Sequence, residues 1–132
     1  MEPIFLTVDE VLEIHEQQIE LYGGSHGVRD MNLLESALGV PHATFGGEYL
    51  HPTIGAMAAA YMFHITQNHP FFDGNKRTGA NASITFLLLN NTEPTFDEDA
   101  LVDLVLNVTQ GGVTKEQVIQ FFQENARPLT SE

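Results

Sequence analysis

The sequence predicts an all-α protein: a compact single-domain bundle of about six helices with one short flap loop or hairpin. Three observations predict it. Apolar residues recur at helical spacing along most of the chain. Gly and Pro fall between those segments rather than inside them. Two segments open on a capping box, Thr7-Val8-Asp9-Glu10 and Thr114-Lys115-Glu116-Gln117. The 132 residues suit one domain, spanning 1–132, and a hydrophobic content of 42% supplies its core. Charged residues are only 17%, which argues against intrinsic disorder.

The elements follow in order. The first helix opens at the Thr7 capping box, carries Val11, Leu12, Ile14, Ile19 and Leu21, and stops at Tyr22-Gly23-Gly24. Ser25 to Arg29 reads as a loop. Asp30 or Asn32 opens a short helix through Leu33, Leu34, Ala37 and Leu38 to Gly39. Between Pro41 and Leu50 the stretch is too short and irregular for a helix. With Gly46-Gly47 set between Phe45 and Tyr49, it reads as a flap or hairpin. Pro52 suits a first helical position, and a helix to Asn68 follows, rich in small and apolar side chains. Pro70 cannot continue it. The next helix starts near Gly74 and runs through Leu89. Another begins at Thr95 or Asp97 and stops at Gly111-Gly112. The last opens at the Thr114 capping box and runs to about Asn125, with a frayed tail expected from Pro128.

Composition narrows the function. There are no cysteines, so disulfides and thiolate metal sites are excluded. No apolar run approaches the roughly 18 residues of a membrane span, and the N-terminus lacks a secretory pattern, so a cytoplasmic location is expected. Formal net charge is −13, from five Lys and Arg against 18 Asp and Glu, a surface that repels nucleic acid. Two of the five cations, Lys76 and Arg77, are adjacent. That local concentration of positive charge points to an anionic ligand.

Those cations belong to the segment His69-Pro70-Phe71-Phe72-Asp73-Gly74-Asn75-Lys76-Arg77. The first turn of a helix presents unpaired N–H groups and the positive end of its dipole, which together bind anions. Gly74 lets phosphate oxygens approach the backbone. Arg77 offers a planar fork and Lys76 a flexible point charge. Asp73, beside a phosphate site, is placed to hold Mg²⁺ together with phosphate oxygens and water. His69 has the side chain of a general base near neutral pH. Phe71 is expected to anchor the loop in the core. The bland readings are a helix end for His69, a helix cap for Asp73, and surface ion pairs for Lys76 and Arg77. His15, His26, His42 and His51 show no metal spacing, His64 is more suited to packing, and Asn81 reads as a satisfied core amide.

The string closely resembles the signature of the Fic/Doc family, His-x-Phe-x-Asp/Glu-Gly-Asn-Gly/Lys-Arg, and fixes seven residue types within nine positions. The resemblance extends along nearly the whole chain, and its length and layout look like the small death-on-curing branch, the toxins of type II toxin–antitoxin pairs. It implies a Fic/Doc-type helical bundle. It implies that His69 is the catalytic base for a target hydroxyl, that Asp73 holds Mg²⁺, and that Gly74, Asn75, Lys76 and Arg77 bind the phosphates of ATP. Phe45, Gly46, Gly47 and Tyr49 fall on the flap that would position a target segment. The nucleotidylating branch has Gly where this chain has Lys76, and usually an Arg where this chain has Ala80. Both differences match the branch in which the γ-phosphate meets the hydroxyl. The resemblance therefore implies phosphate transfer from ATP to a Ser or Thr of a protein, with translation elongation factor Tu as the candidate target. It also implies restraint by a separate antitoxin. An internal inhibitory segment is not matched, since Gln120 stands where Ser or Thr would precede Glu124-Asn125. The alternatives are transfer of AMP by the same residues, and a non-catalytic module that keeps only the anion site.

Overall fold

The computed structural model describes residues 2–129. Among these residues six helices form a bundle: α1 (Val8–Tyr22), α2 (Met31–Gly39), α3 (Ile54–Asn68), α4 (Asn75–Leu89), α5 (Glu98–Thr109) and α6 (Lys115–Glu124). Two antiparallel strand pairs accompany them, β1 (Thr44–Phe45) with β2 (Glu48–Tyr49), and β3 (Thr92–Pro94) with β4 (Ala126–Pro128). The all-α expectation and the helix count hold, and the flap is a hairpin turning on Gly46 and Gly47. Among the described residues no helix is long and apolar enough to cross a membrane.

Five of the six helices begin at a side-chain cap, in which a short oxygen side chain accepts an otherwise unpaired first-turn N–H. The caps are Thr7, Asp30, Thr53, Asp97 and Thr114, and the two Thr-x-x-Glu/Gln patterns form complete capping boxes. The cap moves the start of α3 from the expected Pro52. Thr53 Oγ1 accepts the Ala56 N–H at 3.0 Å, so the helix opens at Ile54 and Pro52 stays outside it.

Helix α3 is the centre of the bundle. Ala56 to Met62 are all buried, and α2, α4, α5 and α6 pack around this one helix. Small side chains let neighbours approach from every side. The closest crossing is with α4, where a Cβ on Gly79 would lie 2.9 Å from Thr66 Oγ1 and 3.1 Å from the Met62 carbonyl oxygen. Tyr61, fully buried, accepts the Leu6 N–H on its hydroxyl and so ties the N-terminal arm to the core.

The frayed tail expected from Pro128 is corrected at its start. Pro128 pairs with Thr92 in the β3–β4 ladder, Arg127 meets Glu93 at 2.6 Å, and the Leu129 N–H donates to the Asn91 carbonyl at 2.7 Å. Positions 130–132 of that expected tail lie outside the described residues. Neither strand alternates apolar and polar residues, so only the contact between distant segments reveals the pair.

His51 is buried and His64 half-buried, both away from the motif segment, and each has a buried ring nitrogen with no partner among the described residues. Burial pushes the His64 imidazole down to about 4, with the positive charges of Lys115 and His51 adding to the shift. Burial, then Lys115, lowers His51 as well. A histidine held neutral by the fold binds its proton more readily in the unfolded chain. Stability is therefore complete above the ordinary value of 6.5 and falls as pH drops from 6.5 toward about 4. The ring is only half-buried, so solvent screens part of the shift, and the loss from His64 should stay within about 2 kcal/mol. Urea midpoints measured through that range should decline in wild type and decline less in His64→Gln. Parallel declines in the two proteins would show that His64 does not carry the effect.

Candidate functional site

The segment between α3 and α4 is built around an inward-pointing ring. Phe71 is fully buried and stacks face to face on the buried His15 of α1, with ring centroids 3.8 Å apart and planes 7° apart. That anchor fixes the residues on either side of it. His15 also uses its other face of contact: its Nε2 lies 2.8 Å from the Asp73 carbonyl oxygen.

His69 closes α3 in the left-handed conformation, φ 53 and ψ 54. For a residue with a Cβ this costs on the order of 1–2 kcal/mol, so neighbours must hold it there. Arg29 does so. Its Nε donates to the His69 carbonyl at 2.8 Å and its Nη2 to the Asn68 carbonyl at 3.2 Å. The backbone N–H groups of Arg29 and Asp30 both donate to the Pro70 carbonyl. Val28 pairs with Phe71 in an isolated bridge, so the loop after α1 runs antiparallel to the motif segment.

The same loop orients Asp73. The Ser25 N–H donates to Asp73 Oδ2 at 2.8 Å. Ser25, through its backbone N–H and then its side chain, holds the Asp73 carboxyl below the usual carboxylate range, with Arg77 and His69 adding. Asp73 is exposed and ionised at neutral pH. An exposed, charged carboxylate beside an anion site suits Mg²⁺, which is bound through one or two carboxylates plus phosphate oxygens and water. Asp73 does not cap the next helix. Gly74 stands at that position with φ 80, and α4 alone among the six helices has no side-chain cap. At that φ the backbone favours glycine, and a Cβ there would also lie 3.2 Å from Ile19 Cδ1, a tight contact. The first intrahelical bond is Thr78 N–H to the Gly74 carbonyl. The N–H groups of Asn75, Lys76 and Arg77 therefore open α4 without a side-chain cap.

The cations are placed beside that helix start. The Arg77 guanidinium lies 5.1 Å from the Tyr22 ring centroid and donates to the Gly23 carbonyl at 3.3 Å, while its buried Nε has no partner. A buried unpaired guanidinium N–H is a donor that an anion would satisfy. Neither Lys76 nor Arg77 belongs to an ion pair among the described residues, so the surface-pair reading fails. The Asn75 side chain is turned inward, with Oδ1 accepting the Phe71 N–H and Nδ2 donating to the Phe71 carbonyl. What Asn75 offers outward is its backbone N–H.

These groups surround one cleft of about 470 Å³, lined by His69, Asp73, Gly74, Asn75, Lys76 and Arg77, with Tyr22, Gly23, Gly24, Thr66, Phe72 and Thr109 completing the wall. A second, mostly apolar groove of about 540 Å³ runs between α4 and α5 and shares Tyr22, Lys76 and Arg77 with the first. Asn81 and Ala80 lie in that groove, and Asn81 donates to the Arg77 carbonyl as a satisfied amide. The hairpin residues Phe45, Gly46, Gly47 and Tyr49 do not line the cleft. The two aromatic residues part company: Phe45 is 81% exposed, whereas Tyr49 packs on Phe5.

Sequence reading missed Arg29, Ser25 and His15, each of which acts on the motif segment from more than 35 positions away. His15 carried a signal, since it lies four residues after Val11 and four before Ile19 on the buried face of α1. His26 joins Glu16 and Glu20 in an exposed trio outside the cleft, its Nδ1 2.9 Å from Glu16.

The model of the Fic/DOC family matches residues 5–87. The chain is 39% identical over 89 residues to "Toxin Doc" of Mycolicibacterium smegmatis, covering 66% of this chain and 68% of that protein. It is 28% identical over 113 residues to "Protein kinase doc" of Escherichia phage P1, covering 86% and 88%.

Proposed function

Since this chain belongs to the Fic/DOC family, we propose that it is a Doc-like toxin that transfers the γ-phosphate of ATP to a Ser or Thr hydroxyl of a protein. The observation that carries this reading is the convergence of His69, Asp73 and the uncapped start of α4 on one cleft. A nucleotide's phosphates would lie against the N–H groups of residues 75–77, with Lys76 and Arg77 compensating their charge. Asp73 would hold Mg²⁺, whose chemistry there would be charge neutralisation. His69 would meet the incoming hydroxyl and take its proton. Catalysis would then rest on positioning and electrostatics, as phosphoryl transfer generally does.

Lys76 favours phosphate over AMP as the transferred group. Its side chain adds a charge beside the anion site, and Ala80 stands where the nucleotidylating branch usually has an Arg for far-end phosphates. That groove is apolar and open, and it adjoins Lys76 and Arg77. It suits an amphipathic segment of an antitoxin, which would then cover both cations. The relatives named as a Doc toxin and a Doc protein kinase support the same reading.

The test uses cell lysate, Mg²⁺ and ATP labelled at either the α or the γ phosphate, with purified elongation factor Tu as the first defined target. Label from the γ position alone is the expected result. Label from the α position would replace the proposal with AMP transfer. No label from either, with His69→Ala indistinguishable from wild type, would leave a binding module.

A further inference from the structure

Asn75 is 4% exposed and spends its whole amide inside the protein. Its Oδ1 lies 2.9 Å from the Phe71 nitrogen, and a backbone N–H can only donate. That contact fixes which end of the amide is oxygen. The Nδ2 end then has two hydrogens to place. One goes to the Phe71 carbonyl at 2.9 Å, and the other faces His69 Nδ1 at 3.1 Å. Turning the amide over would set oxygen against the Phe71 carbonyl and NH₂ against the Phe71 N–H, so the orientation is locked from the buried side.

An amide nitrogen has no lone pair to offer, so His69 Nδ1 must be the acceptor. A neutral imidazole carries a single proton, and with Nδ1 accepting it sits on Nε2. We infer that Asn75 is a positioning residue that holds neutral His69 as the Nε2–H tautomer. In the free protein the nitrogen left for a ligand is thus a hydrogen-bond donor.

This inference rests on the reading of the cleft as a phosphotransferase site and sharpens the role of His69 in it. A donor at Nε2 suits an arriving phosphate oxygen. It does not suit a hydroxyl about to lose its proton. The lone pair needed at Nε2 appears only after a proton from water adds at Nδ1 and the Nε2 proton leaves to water. No atom is gained or lost in that exchange, but Asn75 Nδ2 must withdraw for Nδ1 to take its proton. The Asn75–His69 contact therefore sets the unliganded site for an anion and keeps it from acting as a base until the contact opens.

The tautomer is read directly by long-range ¹H–¹⁵N NMR of ¹⁵N-histidine-labelled full-length protein without nucleotide. The pH is set to about 8, above the ordinary histidine range. His69→Ala identifies the resonances. A protonated-type Nε2 and an unprotonated-type Nδ1 are expected, and the reverse pattern would overturn the inference. Asn75→Asp, whose carboxylate accepts from Nδ1–H, should convert the ring to the other tautomer. An unchanged ring in that folded variant would also overturn it, and if the variant does not fold the wild-type spectrum decides. The spectrum needs no substrate, so it separates the two claims. A failed labelling assay with an Nε2–H ring sinks the reaction alone, and an Nδ1–H ring beside active transfer sinks this inference alone.

Discussion

Replacing His69 with alanine is expected to lower γ-phosphate transfer by about 10²–10⁴-fold, the range that a positioned acid–base group contributes. ATP binding should change far less, by no more than the single hydrogen bond that Nε2–H offers a phosphate oxygen in the free site. The phosphates would be held mainly by the start of α4, Lys76 and Arg77, and none of those contacts passes through the imidazole. The fold should survive as well. His69 is exposed, and the bonds that fix its backbone come from Arg29 to the carbonyl, which alanine retains. Single-turnover transfer and nucleotide titration on the same preparation make the comparison. Transfer within a few-fold of wild type would remove His69 from the chemistry. Loss of nucleotide binding in parallel with transfer would instead make it a binding residue.

Phe71→Ala should damage both the fold and the site. A fully buried aromatic cut to alanine costs about 3–5 kcal/mol through lost burial and the cavity left behind. Here the ring also covers the face of His15, whose Nε2 holds the Asp73 carbonyl. The damage should reach the site from both ends of the segment. Thermal unfolding should shift down by on the order of 10 °C or more for a chain of this size. Transfer should drop even at temperatures where the variant is still folded. Phe72→Ala is the control. That neighbour is 55% exposed, and removing a surface ring away from such features usually changes stability by no more than about 0.5 kcal/mol. Equal losses from the two substitutions would contradict the inward anchoring of Phe71.

What could be read in the sequence was what is local. The boxes at Thr7 and Thr114, the cap at Asp30 and the stop at Gly23 each involve residues within four positions of one another. The motif segment is local too, and the structure brings His69, Asp73, Gly74, Asn75, Lys76 and Arg77 to one cleft. The β3–β4 pair was hidden because Glu93 and Arg127 meet only after two helices have folded back between them. Arg29 and Ser25 were hidden for the same reason. Their bonds run to the carbonyl of His69 and the carboxylate of Asp73, and neither partner is visible from the loop that donates. Asn75 was hidden by direction rather than distance. A helix start points its backbone outward whatever its first side chain does, and here that side chain turns back onto Phe71.

Position 74 cannot borrow the solution used at the other helix starts. There a Thr or Asp in extended backbone completes the first turn. Gly74 sits at φ 80, where a side chain is strained, so exchanging it for a capping residue would cost the turn that sets Asp73 against the helix. The opening at the head of α4 is therefore a property of the backbone path and not of one missing side chain. A chain with no remaining use for an anion would still carry it, because closing it means rebuilding the turn.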